Sequence, residues 1–164
     1  MSTPPSLREH VVNLLTVRQA HGTFEDAVAQ MRVDRVGDRP DGMPYSVWEL
    51  VEHLRRAQRD ILEYCRDPNY EAREWPDSYW PDTAGPPTPE AWNEAVSGVQ
   101  DDHDALCAMV RDERLDLYDT VPSSDEHTYL REMLLVADHN AYHIGQIVTV
   151  RRQLGLWPTG DDVE

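Results

Sequence analysis

Residues 128–154 carry one long, unbroken helical pattern. Thr128 stands where it begins, Arg151 and Arg152 lie in its final turns, and Gly155 and Pro158 follow, as at the closing end of a helix. A helix of about 20 residues is already ~30 Å long, so such an element needs partners of similar length to cover its apolar side. Three further helical segments supply them, and no segment alternates apolar and polar residues with a period of two. The expected fold class is therefore all-α, a four-helix bundle.

The first partner is predicted over residues 6–20, where Leu7, Val11, Leu14, Leu15 and Val17 keep helical spacing and His21-Gly22 ends the pattern. Thr23 followed by Asp26 signals the start of a short helix through Ala27 and Met31, and residues 32–45 then read as a connection rich in Gly and Pro. Ser46-Val47-Trp48-Glu49 has the form of a capping box and opens the second long helix. Leu50, Leu54, Ala57 and Ile61 form its stripe, and it ends near Arg66. Residues 69–89 hold five prolines together with Tyr70, Trp75, Tyr79 and Trp80, which predicts a packed lid or wrapped loop in place of a flexible linker. Thr88-Pro89-Glu90 opens the third long helix, with Trp92, Val96, Val99, His103, Leu106 and Val110 on its face. On the last helix the apolar stripe reads Leu130, Leu134, Ala137, Ala141, Ile144 and Val148.

Composition narrows the function. The chain has 164 residues, the size of one domain over residues 1–164, and a net charge of -16. At that density of negative charge phosphate backbones and anionic membrane surfaces are poor partners, and all 15 basic residues are Arg. Leu, Ile, Val and Phe total only 34, but five Trp, seven Tyr and five Met supply enough apolar surface for a core. The start lacks a basic and apolar leader pattern, and no run approaches a membrane span, so a cytoplasmic protein is expected. Cys65 and Cys107 lie within helical patterns and suggest small core residues, without a disulfide framework.

The chemistry concentrates in the last helix. His139 and His143 are four residues apart, about 40° around the axis and ~6 Å along it, so both imidazoles can reach one ion. His53 on the second long helix lies beside Leu50, Leu54 and Ala57 and also points toward the interior. Asn140 follows His139, so the glutamate that serves zinc proteases as a base is missing, which argues against a peptidase.

The segment from Trp48 to Asp60 around His53, together with Ala137-Asp138-His139-Asn140-Ala141-Tyr142-His143-Ile144-Gly145-Gln146 through Arg152, resembles the DinB/YfiT superfamily. The likeness extends to residues 21–28, to residues 75–81 and to the Thr-Pro-Glu-Ala-Trp opening of the third long helix. It implies a bundle of up-down-down-up type, often homodimeric, with a divalent metal held by His53, His139 and His143. Zn or Ni leads as the metal, with Fe, Mn or Cu as alternatives that affinity order does not separate. Relatives of this type act as S-transferases or isomerases using a low-molecular-weight thiol, or as hydrolases.

The resemblance thus implies a small-molecule substrate and a metal-bound water or thiol as the reacting group, with no catalytic side chain assigned. Candidate pocket or supporting residues are His21, Glu49 and Gln146, with Glu132 read as solvated surface and His10, His103 and His127 as surface or rim. An anionic thiol would draw on Arg55, Arg56, Arg59, Arg151 or Arg152. The competing expectation is a non-catalytic metal-binding stress-response protein whose bundle and dimer interface are the working parts.

Overall fold

Ser46 accepts a hydrogen bond from the Glu49 amide while the Glu49 carboxylate returns to the Ser46 amide, and from this capping box α3 runs over Val47–Arg66. Such a cap stabilises a helix start by about 1 kcal/mol. The same device starts a much shorter helix, where Thr23 and Asp26 cap Phe24–Val28. In chain order the computed structural model, which describes residues 2–158, holds α1 (Pro5–Thr16), α2 (Phe24–Val28), α3 (Val47–Arg66), α4 (Pro89–Arg111) and α5 (Tyr129–Gln153). The described residues contain no strand, only an isolated bridge between Thr120 and Thr128, and no helix long and apolar enough to cross a membrane.

α1 stops four residues before the predicted end at Ala20. Val17 turns extended at its C-cap, and His103 donates from Nε2 to the Leu15 carbonyl at 3.0 Å, replacing the amide that a further turn would have supplied. His103, expected at the surface or rim, is half-buried and also caps this helix. Beyond Val11 the helix packs only Val12 and Leu15, both partly buried, against the core, and Leu14 and the C-cap Val17 are about half exposed. α4 begins at the expected Thr88 cap and α5 begins where predicted, its first turn capped by the Thr128 side chain; α5 ends at Gln153, with Leu154 as its C-cap and Gly155 at positive φ.

α3 packs against both α4 and α5, and α1 bridges α4 and α5, so the four long helices close a ring in the order α1, α4, α3, α5. Two apolar clusters fill it. One gathers Leu50, Val51, Leu54, Trp92, Val99, Ile144 and Ile147, the other Val11, Leu62, Leu106, Val110, Met133 and Val136. Between them along α3, α4 and α5 lie Gln58, Asp102 and Asn140. Asn140 donates to the Gln58 carbonyl oxygen at 2.8 Å, and the Gln58 amide donates to the Val99 carbonyl at 2.6 Å. The Asn140–Gln58–Val99 chain links three helices and holds α5 in register beside His139, while Asp102 pairs through one oxygen with Arg59 and leaves its other oxygen buried without a partner.

The stripe expected on α5 is turned on its axis. Met133, Val136, Ile144, Ile147 and Val150 face the core, whereas Leu134 is half exposed. Arg151, a candidate partner for an anionic thiol, is fully buried and donates to the carbonyls of Ala27, Ala29 and Leu156. One guanidinium thereby ties α2 and the chain after α5 to the bundle. Residues 69–88 wrap across α3 as expected of a packed lid. Gly37 and Gly85 pass so closely that a Cβ on Gly37 would lie 2.9 Å from the Gly85 Cα, and Ser46 donates to the Ala84 carbonyl.

Candidate metal centre

His53 projects from the N-terminal half of α3, and His139 and His143 project from the middle of α5. Their nearest ring nitrogens all lie within 4.8 Å of one another, and the Nε2 atoms of His53 and His139 are 3.1 Å apart. Two of the rings have their other nitrogen occupied. His53 donates from Nδ1 to the Tyr79 carbonyl at 3.0 Å, which leaves the Nε2 lone pair facing inward. His143 has Nδ1 at 2.7 Å from the Gln146 side-chain oxygen, and donation there frees its Nε2 in the same way.

Burial keeps all three rings neutral. His53 and His143 are buried and His139 is half-buried. Desolvation pushes the His53 pKa down to about 4 and that of His139 to about 3, the neighbouring imidazoles adding to the latter, and it lowers that of His143 as well. Neutral imidazoles are the form that ligates metals. In a tetrahedral site with metal–nitrogen bonds of about 2.0–2.1 Å the donor atoms lie ~3.3 Å apart, close to the separation between His53 and His139. The donor set fits a divalent ion of the zinc, nickel, iron or copper type.

The proline-rich loop builds the wall of this centre. Trp80 stacks face to face on His53, with ring centroids 3.9 Å apart, and Tyr45 stacks on the far side of Trp80 at 4.1 Å. Arg56 donates to the Trp80 carbonyl at 2.8 Å, and buried Glu52 holds both Arg55 and Arg56. Tyr79 and Tyr70 donate their hydroxyls to the two oxygens of Asp60. The loop that orients His53 is therefore fixed to α3 by a network of charged groups. Tyr79, Trp80, Arg56 and Glu52 escaped sequence reasoning as supports of His53. The Tyr-Trp-Pro segment at residues 79–81 was their only trace, because a carbonyl acceptor leaves no mark in side-chain identity.

Of the three supporting candidates, Gln146 lies on His143. Glu49 does not reach an imidazole; its carboxylate caps its own helix and pairs with Arg39. His21 is exposed and lines a cavity on the other side of α5, with Nδ1 near the Gly22 carbonyl. Glu132 is buried, paired with Arg131 and 3.6 Å from His127, so the solvated reading fails for it. The arginines are also committed: Arg55 and Arg56 to Glu52, Arg59 to buried Asp102, Arg151 to carbonyls and Arg152 over the Trp157 ring. Cys65 and Cys107 are buried free thiols, pushed by desolvation up to about 12 and about 11.

A family model described as the DinB superfamily matches residues 16–147, most of the chain and all three histidines. The chain belongs to the DinB superfamily. Neither the curated proteins nor the solved structures hold a significant match to it. In this DinB chain the residue after the first α5 histidine is Asn140, and its bond to Gln58 gives it a structural task where a zinc protease would carry its base.

Proposed function

We propose that this DinB protein binds one divalent metal ion through His53, His139 and His143 and works as a metal-dependent enzyme on a small-molecule substrate. The carrying observation is the convergence of three neutral imidazoles, two of them held with Nε2 inward by the Tyr79 carbonyl and by Gln146. Three neutral ligands leave positions open, as in catalytic-type sites. When bound, a zinc or nickel ion supplies Lewis acidity, lowering the pKa of water or of a small thiol. The chain's own part is to hold the imidazoles, keep them unprotonated and screen His53 with Trp80. Arg55, Arg56 and Arg59 are each engaged by a carboxylate. That favours water, or a thiol of low negative charge, over a polyanionic one as the activated group. The first apolar cluster joins the N-terminal parts of α3 and α4 to the C-terminal part of α5, which supports parallel α3 and α4 with α5 running back, as an up-down-down-up course requires, and a homodimer completes the reading.

A non-catalytic metal-binding role is the second reading. It is favoured by the lining of the cavity beside α1, α2, α4 and α5, which includes none of the three histidines. Elemental analysis of the native protein and of His139→Ala, with circular dichroism alongside, tests the metal. About one ion per chain, lost in the variant with helicity retained, is expected. Thermal-shift titration of the loaded protein with mycothiol, bacillithiol and glutathione then divides the readings, because a ligand stabilises only the state it binds. Stabilisation by a thiol only when metal is present supports transfer chemistry. Metal without thiol binding, but with metal-dependent ester or amide hydrolysis, supports the hydrolase; neither activity supports simple binding. No metal after reconstitution with Zn and Ni overturns the proposal.

A further inference from the structure

α5 has a second side built for contact. About 160° around its axis from the histidines, Leu134, Ala137, Ala141 and Ile144 line a cavity of about 470 Å3. The end of α1, the start of α2 and the middle of α4 close its other walls. Pockets that take small ligands typically measure roughly 300–1,000 Å3 and are largely apolar with a few placed polar groups. Leu14, Val17 and Leu134, each about half exposed, form an apolar mouth.

The rim is acidic. Glu25, Asp104 and Asp138 line the cavity from α2, α4 and α5, all three are exposed, and none takes part in an ion pair among the described residues. No arginine belongs to the lining, although the chain has 15. The imidazoles in the wall have a ring nitrogen at a backbone carbonyl, His103 at Leu15 and His21 at Gly22. These acids and imidazoles do not form a shared metal site; among the described residues the His53, His139 and His143 group alone meets that description.

We propose that this cavity binds a small organic cation with an apolar body, an alkyl- or arylalkylammonium compound. Its hydrocarbon part lies against Ala137, Ala141 and Ile144, and its ammonium group meets the carboxylates at the rim. Charge complementarity selects this occupant. A second copy docked through the same face would set the acidic rim against itself in a chain of net charge -16. A homodimer therefore uses another face. An anion of the same shape meets three carboxylates and no cation.

The probes are 4-phenylbutylamine, 4-phenylbutanol and 4-phenylbutyrate, which share one hydrocarbon and differ in charge. Each is titrated into 15N-labelled full-length protein, with and without metal. The amine is expected to shift the amide signals of Ala137, Ala141 and Ile144 and to bind about tenfold tighter than the alcohol at low ionic strength, with the advantage shrinking in salt. The butyrate should be weakest. The double variant Asp104→Asn/Asp138→Asn, at exposed positions that leave folding intact, should weaken the amine about fivefold and leave the alcohol unchanged. Ala141→Phe, which fills the cavity, should abolish both. Equal binding of amine and alcohol, or an amine affinity unmoved by the double variant, overturns the proposal. So do signal changes confined to His139 and His143, absence of binding by any probe, and a dimer that closes this face. Metal removal leaves the expected result unchanged, so failure here and failure of the metal reading are distinguishable.

Discussion

The two sides of α5 solve opposite problems with one helix. On the histidine side, two of the three rings are pinned by something else: His53 by the Tyr79 carbonyl and the Trp80 face, His143 by Gln146. On the cavity side the walls are Leu, Ala and Ile, and the polar groups at the mouth have no ion-pair partner. A group held by a second set of partners is committed to one geometry before any ligand arrives, whereas an apolar hollow with loose charges accepts a range of shapes. The comparison teaches that preorganisation is read from the partners of a side chain, not from the side chain.

The largest effect expected from disturbing this division is at Arg151. Arg151→Met leaves three carbonyls without their donor and should cost about 3 kcal/mol or more in urea unfolding. Because those carbonyls belong to residues 27, 29 and 156, the α2 wall should loosen while the folded protein keeps its metal content. Equal loss of metal and cavity would show that the two sides are not separable. Next in size, Gln146→Ala should lower metal affinity by about 10- to 100-fold in competitive chelator titrations while changing stability by less than about 0.5 kcal/mol. An unchanged affinity would mean that the hydrogen bond to His143 orients nothing.

Trp80→Leu should cost about 1–2 kcal/mol in thermal or urea unfolding, through loss of the stacks on His53 and Tyr45. Its effect on metal affinity should be smaller than that of Gln146→Ala, since the Tyr79 carbonyl still holds His53. The smallest change concerns thiols. Desolvation raises the pKa of both cysteines, so at mildly alkaline pH they stay protonated and inaccessible. Ellman's reagent should find no fast thiol in the native protein and two per chain in denaturant. A fast native thiol would reopen a protein nucleophile as part of the site.

Helix starts were legible because capping is local chemistry: the boxes at Ser46 and Thr23 and the caps at Thr88 and Thr128 form where their residue types announce them. The three histidines were legible for a similar reason, since spacing on one helix and position on another suffice to bring the rings together. The apolar stripe on α5 misled in part, because Leu134, Ala137 and Ala141 line the cavity outside both core clusters, while Ile144 lines the cavity and packs in the core as expected. The true core line passes through Met133, Val136, Ile147 and Val150, with His143 within it. Periodicity counts apolar residues and cannot tell a packed face from a hollow one. The cavity itself depends on α1 stopping at Thr16, and that stop depends on His103, 88 positions beyond the carbonyl it caps. Tertiary caps of this kind have no local signature.

The contact between Trp80 and His53 also has an optical consequence. An indole stacked 3.9 Å from an imidazole lies within contact range of anything that imidazole binds. Open-shell ions such as nickel or copper quench indole emission at such distances, whereas zinc, with its filled shell, does not. Of the five tryptophans in the chain, Trp80 is the one that shares a stack with a histidine of the centre. With an ion bound at the three histidines, its emission would report whether that ion has an open or a filled shell, so the chain would carry its own dye for the test of the metal.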